Sequence, residues 1–292
     1  MKKNKINIES LSFDKQILER INQGYIPDLR KCKRNEWFNN NVWRDPFYVD
    51  MFFGEFVRKI RYTIKTYCKN NKKLNILEVC CGPGHISLEL GRDGHNVTGI
   101  DISKECIKIA QKTAYKDSYI KKNKNIKYIC QDIQEYEGND KYDLIFFCNS
   151  LHHFGDLKKL FKKIDLLIDE SGIIFVTDPT KNDLTLSDAS IIHMIRTLLS
   201  LGGIYFENIE IPETKEQFLA EITKIKQEFS YKDSEHKNLQ SLFDGSSNFL
   251  EMYKGLKMFF TELEIKHDLS FFDKIIGGVR TESVEKDKKI AI

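Results

Sequence analysis

Five short apolar runs, separated by stretches with helical spacing, constrain the fold of this chain more than any other feature. The runs are NILEVCC (75–81), VTGIDI (97–102), IKYIC (126–130), YDLIFFC (142–148) and GIIFVTD (172–178). They are continuous instead of alternating with polar residues, which is typical of strands buried on both faces of a parallel sheet. Helical stretches lie near 85–92, 103–117 and 155–168. This β-α-β alternation predicts a doubly wound α/β fold.

The chain on either side of these runs reads as helical. Residues 1–70 predict an N-terminal helical cap, with one helix over Leu11–Gln23 and another from the Asp45-Pro46 start to about Tyr67. Residues 183–258 predict a helical insert that covers the substrate. Two apolar strand candidates follow, at 261–271 and 272–280, and residues 282–292 read as a frayed tail.

Composition and charge exclude several classes of protein. The net charge of +3 is too small to argue for nucleic acid or an acidic membrane, and no basic patch is interleaved with aromatics. The basic N-terminus lacks an apolar run, and the apolar stretch 191–206 contains His193 and Arg196, so we expect a cytoplasmic protein without a membrane span. The seven cysteines form no CxxC pair, which argues against a disulfide framework or a zinc site.

A turn with two glycines follows the first predicted strand. Gly82 and Gly84 let the backbone pass close to a ligand, and Asp101 ends the next strand, about 20 residues further on, where a carboxylate reaches a ribose. These residues predict an adenosine-containing cofactor at the carboxyl edge of the sheet. The turn nearly matches the dinucleotide pattern G-x-G-x-x-G/A, but Glu78 at the strand end would repel a pyrophosphate and suit a cationic ligand.

Four segments, taken in order, resemble the motif set of class I (Rossmann-like) S-adenosylmethionine-dependent methyltransferases: LEVCCGPG, VTGIDIS, CQDIQ and YDLIFFCNSLHHF. The resemblance covers roughly 74–180. It implies a methyltransferase core over 71–182 and 259–281, with a mostly parallel seven-stranded sheet whose antiparallel hairpin edge comes from the two C-terminal strand candidates. The family pattern is acidic-x-Gly-x-Gly-x-Gly, and here Cys80 stands in place of the first glycine.

The resemblance also implies S-adenosylmethionine as the cofactor and assigns roles at the strand ends. Asp101 would bind the ribose hydroxyls, Asp132 the adenine amino group, and Asn149 the methionine end. The full set of implied cofactor residues is Glu78, Cys80, Gly82, Gly84, Asp101, Ile102, Asp132, Ile133, Asn149 and Ser150. Two alternatives stay open, since Asp132 could cap a turn and Asp101 could cap the helix that starts near Ser103.

Candidate residues for the chemistry follow the fourth strand. His152 or His153 could act as the base, because an ordinary histidine titrates near pH ~6.5, although both could instead be structural. Asp178 lies in a zone where catechol-type methyltransferases place metal ligands, but the fourth strand ends without a carboxylate, so we predict no metal. Candidates for the substrate pocket are Tyr25, Trp43 and Tyr48.

The sequence thus predicts methyl transfer to an oxygen or nitrogen of a small molecule or peptide natural product, by a monomer or homodimer. The alternatives are an RNA methyltransferase, a cofactor-binding protein without catalysis, and an NAD-dependent oxidoreductase, for which Tyr253 and Lys257 have a suitable spacing.

Overall fold

The computed structural model describes residues 2–22, 24–31, 53–68, 73–178, 185–203, 205, 208–229 and 249–266. The helices are α1 Lys2–Asn22, α2 Glu55–Tyr67, α3 His85–Arg92, α4 Lys104–Lys116, α5 Ser118–Asn123, α6 Leu157–Leu167, α7 Leu186–Leu201, α8 Lys215–Phe229 and α9 Phe249–Lys257. The strands are β1 Asn75–Val79, β2 Asn96–Asp101, β3 Ile126–Cys130, β4 Tyr142–Cys148 and β5 Ile168–Thr177.

The five strands form one parallel sheet with the order β3-β2-β1-β4-β5. The chain leaves β1 toward β2 and β3, and then returns to the other side of β1 with β4 and β5. The strand order therefore reverses between β1 and β4, and in sheets of this kind ligands bind at the carboxyl ends of the strands at such a point. The predicted doubly wound α/β fold is confirmed.

Alternate residues of the central strands supply two separate cores. One face of the sheet packs against α6, and the other packs against α2 and α3. The first core includes Leu77, Ile145, Phe147, Phe161 and Ile164, and the second includes Ile60, Ile76, Leu90, Leu144 and Phe146. Because successive side chains of a strand point to opposite faces, burial on both faces requires the continuous apolar runs seen in the sequence.

Most predicted boundaries agree with the structure to within a residue or two, and Ser103 caps α4 by accepting a bond from the amide of Cys106 at 3.1 Å. Two elements differ. Helix α1 begins at Lys2 and not at Leu11, and the fifth strand begins at Ile168 and not at residue 172. Its pairing with β4 shifts register, so that Tyr142 pairs with Ile168 and Leu144 with Ile173. The polar residues 169–171 belong to this irregularity, which explains why apolar content alone did not predict them.

Several predictions for the flanking regions are tested only in part. The insert is helical in α7, α8 and α9, as expected. Residues 261–266 contain neither helix nor strand, so the first strand candidate of the hairpin is not formed over that part. The rest of the hairpin, the tail and the Asp45-Pro46 helix start lie outside the described residues. The described part of the sheet therefore has five strands. Among the described residues, no helix is long and apolar enough to cross a membrane.

Candidate functional site

The turn after β1 is built from backbone conformations that glycine favours. Gly82 has a φ of +51°, and a Cβ atom added to it would meet nothing within 4 Å, so its backbone borders open space. Cys80, at the family's first glycine position, has a φ of +59°. For a residue with a side chain this left-handed conformation costs roughly 1–2 kcal/mol. The turn therefore forms with cysteine in the place of glycine.

Gly84 is required for a second reason. Its φ is +82°, and an added Cβ would lie 2.5 Å from the hydroxyl oxygen of Tyr128 and 3.0 Å from the Cβ of Ala110. The backbone of the turn consequently approaches β3 and α4 closely, and α3 begins at the next residue.

Asp101 joins this turn to the end of β2. Its Oδ2 accepts a bond from the amide of Gly82 at 2.8 Å, and its Oδ1 accepts one from the amide of Ser103 at 2.8 Å. Burial raises the pKa of this carboxyl, and the two amides act against that rise. A carboxylate oxygen has more than one lone pair, so Asp101 keeps capacity for ribose hydroxyls while it holds the turn.

Glu78, the carboxylate at the end of β1, faces inward. Only 4% of its surface is exposed, and its Oε2 accepts bonds from the amide of Ser87 at 2.9 Å and from the Ser87 hydroxyl. Burial raises the pKa of Glu78 to about 8, because the charged form loses its hydration. An acidic group that is neutral at low pH and gains charge near pH 8 therefore lies beside the turn.

This shift predicts a pH-dependent cost in stability. The folded pKa of about 8 exceeds the ordinary value of 4.5, so the folded protein holds its proton more tightly than the unfolded chain. The free energy of unfolding should therefore fall as pH rises from 4.5 toward 8, by up to ~1.4 kcal/mol per pH unit. Glu78→Gln should remove this slope in urea unfolding without cofactor, because the amide keeps the bonds from Ser87. Glu216→Gln, at an exposed position of α8, is the control and should keep the slope. An equal slope in the two variants would contradict the prediction.

The residues after β3 are engaged locally. Asp132 caps the short 3-10 turn Ile133–Glu135, with its Oδ1 accepting from the amide of Gln134 at 2.9 Å. The turn-capping alternative is therefore observed, and the adenine role of Asp132 stays a prediction. Ile133 is 3% exposed and belongs to the core on the α6 face of the sheet, which accounts for its burial without a ligand.

The two polar residues after β4 differ in exposure. Asn149 is exposed and has a φ of +52°, and its amide bonds to the carbonyl of Thr177 at 2.8 Å. Ser150 is buried, and its hydroxyl bonds to the carbonyl of Val79 at 3.4 Å. Asn149 thus lies where it can meet a ligand, whereas Ser150 ties the end of β4 to the end of β1.

Asp178, directly after β5, is bonded to three residues of the loop that follows β4. Its Oδ2 accepts from the amides of Ser150 at 2.8 Å and Leu151 at 2.6 Å, while its Oδ1 lies 2.6 Å from Nδ1 of His152. An ionised carboxylate only accepts hydrogen bonds, so Nδ1 of His152 carries the hydrogen. The side chains of His152 and Asp178 are 3% and 2% exposed. The pair fixes the orientation of the His152 ring.

His153 faces the other way, toward α1. Its ring contacts that of His152 with centroids 4.1 Å apart and planes tilted by 40°, and it makes an edge contact with Phe13 at 5.8 Å. Its Nδ1 lies 3.5 Å from Oε1 of Glu9, and its side chain is 18% exposed. The two adjacent histidines therefore have different partners, one from the sheet and one from the first helix.

Helix α1 crosses from the end of β2 to the loop after β4. The Ser10 hydroxyl bonds to the carbonyl of Ile102 at 2.9 Å. Oδ1 of Asp14 accepts from the Ser103 hydroxyl at 2.6 Å and from the amide of Glu105 at 2.9 Å, at the start of α4. Because Glu9 lies beside His153, α1 contacts both the end of β2 and the loop that follows β4.

Tyr25 also comes from the N-terminal region, but it is packed in the interior. It is 2% exposed, and its hydroxyl bonds to Nε2 of His85, whose ring stacks on Phe53 at 4.3 Å. Burial lowers the pKa of His85 to about 3, so that ring is neutral near neutral pH. These contacts explain Tyr25 structurally, and its pocket role stays a prediction. Trp43 and Tyr48 lie outside the described residues.

Sequence reasoning did not predict that two carboxylates lie beside the histidines: it named Asp178 only in connection with metal ligands and did not name Glu9. Asp178 had a detectable signal, because it ends the strand next to β4, and the ends of neighbouring parallel strands meet. Glu9 had none, since it lies more than a hundred residues from His153 and reaches it only through folding. Among the residues described here, no group of three or more His, Cys, Asp or Glu side chains is arranged to hold a metal ion.

Comparison with known families adds a decisive observation. The profile of the methyltransferase domain family matches residues 52–236, well over half of the chain. The chain belongs to the class I S-adenosylmethionine-dependent methyltransferases. The cofactor of this methyltransferase is S-adenosylmethionine, and an enzyme of the nicotinamide dehydrogenase class is set aside. Tyr253 and Lys257, the residues that suggested that class, lie on α9 and both contact Glu262, at 2.7 and 3.8 Å.

Individual relatives of this methyltransferase match about half of its length. A putative methyltransferase of Geobacillus sp. strain WCH70 is 28% identical over 45% of this chain and 53% of its own length. A ubiquinone biosynthesis O-methyltransferase of Rickettsia akari is 27% identical over 51% of this chain and 59% of its own length. The chain thus spans somewhat more than half the length of these relatives.

Solved structures of other methyltransferases also match part of this chain. The magnesium protoporphyrin IX methyltransferase of Synechocystis PCC 6803, with bound S-adenosylmethionine, is 20% identical, with a TM-score of 0.44 over 56% of this chain and 72% of that one.

Proposed function

We propose that this methyltransferase transfers a methyl group to an oxygen or nitrogen atom of a small molecule or of a peptide, with a histidine after β4 as the base. The observation that carries the proposal is the pair of adjacent histidine rings, each beside a carboxylate, at the point where the strand order reverses. A hydroxyl or ammonium acceptor must lose a proton, and a histidine held beside a carboxylate is placed to take it.

The chemistry of the available donors fits the cofactor. The carboxylates of Glu78, Asp101 and Asp132 lie at the ends of three neighbouring strands. These groups suit a cationic ligand with ribose hydroxyls and an adenine amino group, because Asp101 and Asp132 can accept hydrogen bonds and Glu78 gains charge near pH 8. When bound, S-adenosylmethionine supplies a methyl group already activated on a sulfonium, so the protein mainly has to orient the acceptor and accept a proton.

Separate residues of the chain then bind each part of the cofactor and take the proton. We assign Asp101 to the ribose hydroxyls, with Ile102 against the adenine, and Asp132 to the adenine amino group. Gly82 and Gly84 shape the methionine end, together with Glu78, Cys80 and Asn149. The histidine pair takes the acceptor's proton, and His152 is held in one tautomer by Asp178.

The test is an acceptor screen with radiolabelled S-adenosylmethionine over phenols, amines, short peptides and RNA. We expect methyl incorporation into a small molecule or a peptide. Incorporation only into RNA, with an affinity that falls steeply with salt, would contradict the proposal and favour the alternative substrate class.

Replacement of the base should separate chemistry from binding. We expect His152→Ala or His153→Ala to lower kcat by about 10²–10⁴-fold and to leave the affinity for S-adenosylhomocysteine within twofold (~0.4 kcal/mol) of wild type. His95→Gln is the matched control, because His95 bonds to the amide of Leu74 before β1, at the opposite edge of the sheet. Full kcat in both alanine variants would remove the histidines from the mechanism.

A further inference from the structure

The structure assigns a function to Glu9 of α1: it is a positioning residue for His153, and His153 is the base that takes the acceptor's proton. The assignment rests on the proposed methyl transfer and adds to it which histidine reacts and what holds it. It also means that the first helix of the chain completes the acceptor side of the site.

Exposure distinguishes the two histidines. The side chain of His152 is 3% exposed and its Nδ1 is bound to Asp178 in the interior. The side chain of His153 is 18% exposed, so this ring is the one that an acceptor can reach. His152 then packs against the His153 ring, with centroids 4.1 Å apart and the ring planes tilted by 40°.

Glu9 lies where it can stabilise the positive charge that His153 gains when it takes the proton. The Glu9 side chain is 7% exposed, and a carboxylate so buried is costly unless a cation or hydrogen-bond donors lie nearby. Its Oε1 lies 3.5 Å from Nδ1 of His153. A negative charge on that side favours the hydrogen on Nδ1, and this leaves Nε2 as the nitrogen that accepts a proton.

The methyl transfer balances with three participants: the acceptor, the sulfonium cofactor and His153. The acceptor oxygen or nitrogen forms a bond to the methyl carbon, while the carbon–sulfur bond breaks and its electron pair stays on sulfur. The proton lost by the acceptor goes to Nε2 of His153. The ring becomes positively charged next to Glu9, which stabilises that charge as it develops.

Helix α1 is held firmly enough to place Glu9. The Ser10 hydroxyl is anchored on the carbonyl of Ile102, and Asp14 is anchored on the first turn of α4 through Ser103 and Glu105. Ile17 of the same helix is 2% exposed in a small core with Cys106. Glu9 is therefore carried by a docked helix and not by a loop.

The tautomer of His153 provides a test that needs no acceptor. The protein is labelled with ¹⁵N-histidine and saturated with S-adenosylhomocysteine, well above pH ~6.5, where an ordinary histidine is neutral. The His153 signals are assigned from a His153→Gln variant. In wild type we expect the hydrogen on Nδ1. In Glu9→Met, which keeps the length of the side chain but has no oxygen, we expect it to shift toward Nε2.

Ser10→Ala is the matched control, because it removes the neighbouring contact of α1 and keeps the carboxylate. The inference holds if Glu9→Met shifts the tautomer and Ser10→Ala does not. It is overturned if wild type carries the hydrogen on Nε2, if Glu9→Met leaves the tautomer unchanged, or if both variants shift it equally.

The acceptor assay gives a second readout. With an acceptor from the screen, Glu9→Met should lower kcat tenfold or more (~1.4 kcal/mol) at an unchanged affinity for S-adenosylhomocysteine. An unchanged kcat would also overturn the inference. If the screen finds no acceptor, the proposed function fails, whereas the tautomer measurement still decides the role of Glu9.

Discussion

Replacing Asp101 by alanine should weaken the binding of S-adenosylmethionine by more than tenfold, or ~1.4 kcal/mol. The loss has two physical sources. Charge-assisted bonds to the ribose hydroxyls disappear, and the amides of Gly82 and Ser103 lose the carboxylate that holds them at 2.8 Å. Calorimetric titration of the variant with S-adenosylhomocysteine measures the combined effect.

Two further variants separate these sources. Asp101→Asn keeps an oxygen for one amide but removes the charge, so we expect an intermediate affinity. Exposed Asp165 on α6 provides a control for the change in overall charge, and Asp165→Ala should bind as wild type does. An unchanged affinity of Asp101→Ala would count against the ribose assignment and, with it, against the orientation of the cofactor.

The second large effect concerns the side of the molecule around α3. The guanidinium of Arg92 forms two bonds to Asp28, at 2.9 and 2.8 Å, and also bonds to Glu89 at 2.6 Å and Asp117 at 2.9 Å. Arg92 is 6% exposed, and the three carboxylates are 1%, 7% and 13% exposed. One buried cation therefore joins the N-terminal segment to α3 and to the start of α5.

Arg92→Met should lower the free energy of unfolding by about 3 kcal/mol, the low end for a broken buried ion pair. The carboxylates lose their buried cation, but Asp28 keeps Lys31 and Glu89 keeps Arg30. Burial alone would raise the pKa of Asp28 and of Glu89, but bonds to arginine hold both below their ordinary values of 3.8 and 4.5. Their stabilising contribution is thus present above those values and is lost as pH falls through the lowered ones. The difference between variant and wild type in urea unfolding should be large at neutral pH and shrink in acid.

Arg58 supplies the control for this experiment. Its pair with Glu55 has a similar distance, 3.0 Å, but the side chains are 50% and 45% exposed. Arg58→Met should cost ~0.5 kcal/mol or less, since water screens exposed ion pairs. Equal losses in the two variants would mean that burial does not set the strength of the Arg92 contacts.

The sheet and its connecting helices were predictable because their signals are local. Strands buried on both faces need unbroken apolar runs, and the start of α4 is marked by the capping side chain of Ser103. The early start of β5 was not predictable, because polar residues 169–171 extend it through a register shift with β4. A pairing partner, and not apolar content, places those residues in the strand.

The candidate site was predictable only in the parts that follow directly from strand ends. Gly82 and Asp101 meet because β1 and β2 are parallel neighbours. The roles of Asp178 and Glu9 depend on which side chain faces which, and sequence spacing carries no such information. His152 and His153 illustrate this difference, since adjacent residues of the same type have separate partners and unequal exposure.

The turn after β1 also predicts how the chain can vary. At position 80 the dihedral angle favours glycine, and cysteine already occupies it at a φ of +59° with its side chain packed against the core. At position 84 the hydroxyl of Tyr128 excludes volume as well, at 2.5 Å from any added Cβ. A library built to alter cofactor preference can therefore randomise residue 80, whereas diversity at residue 84 would yield mostly inactive clones unless Tyr128 is made smaller in the same clone.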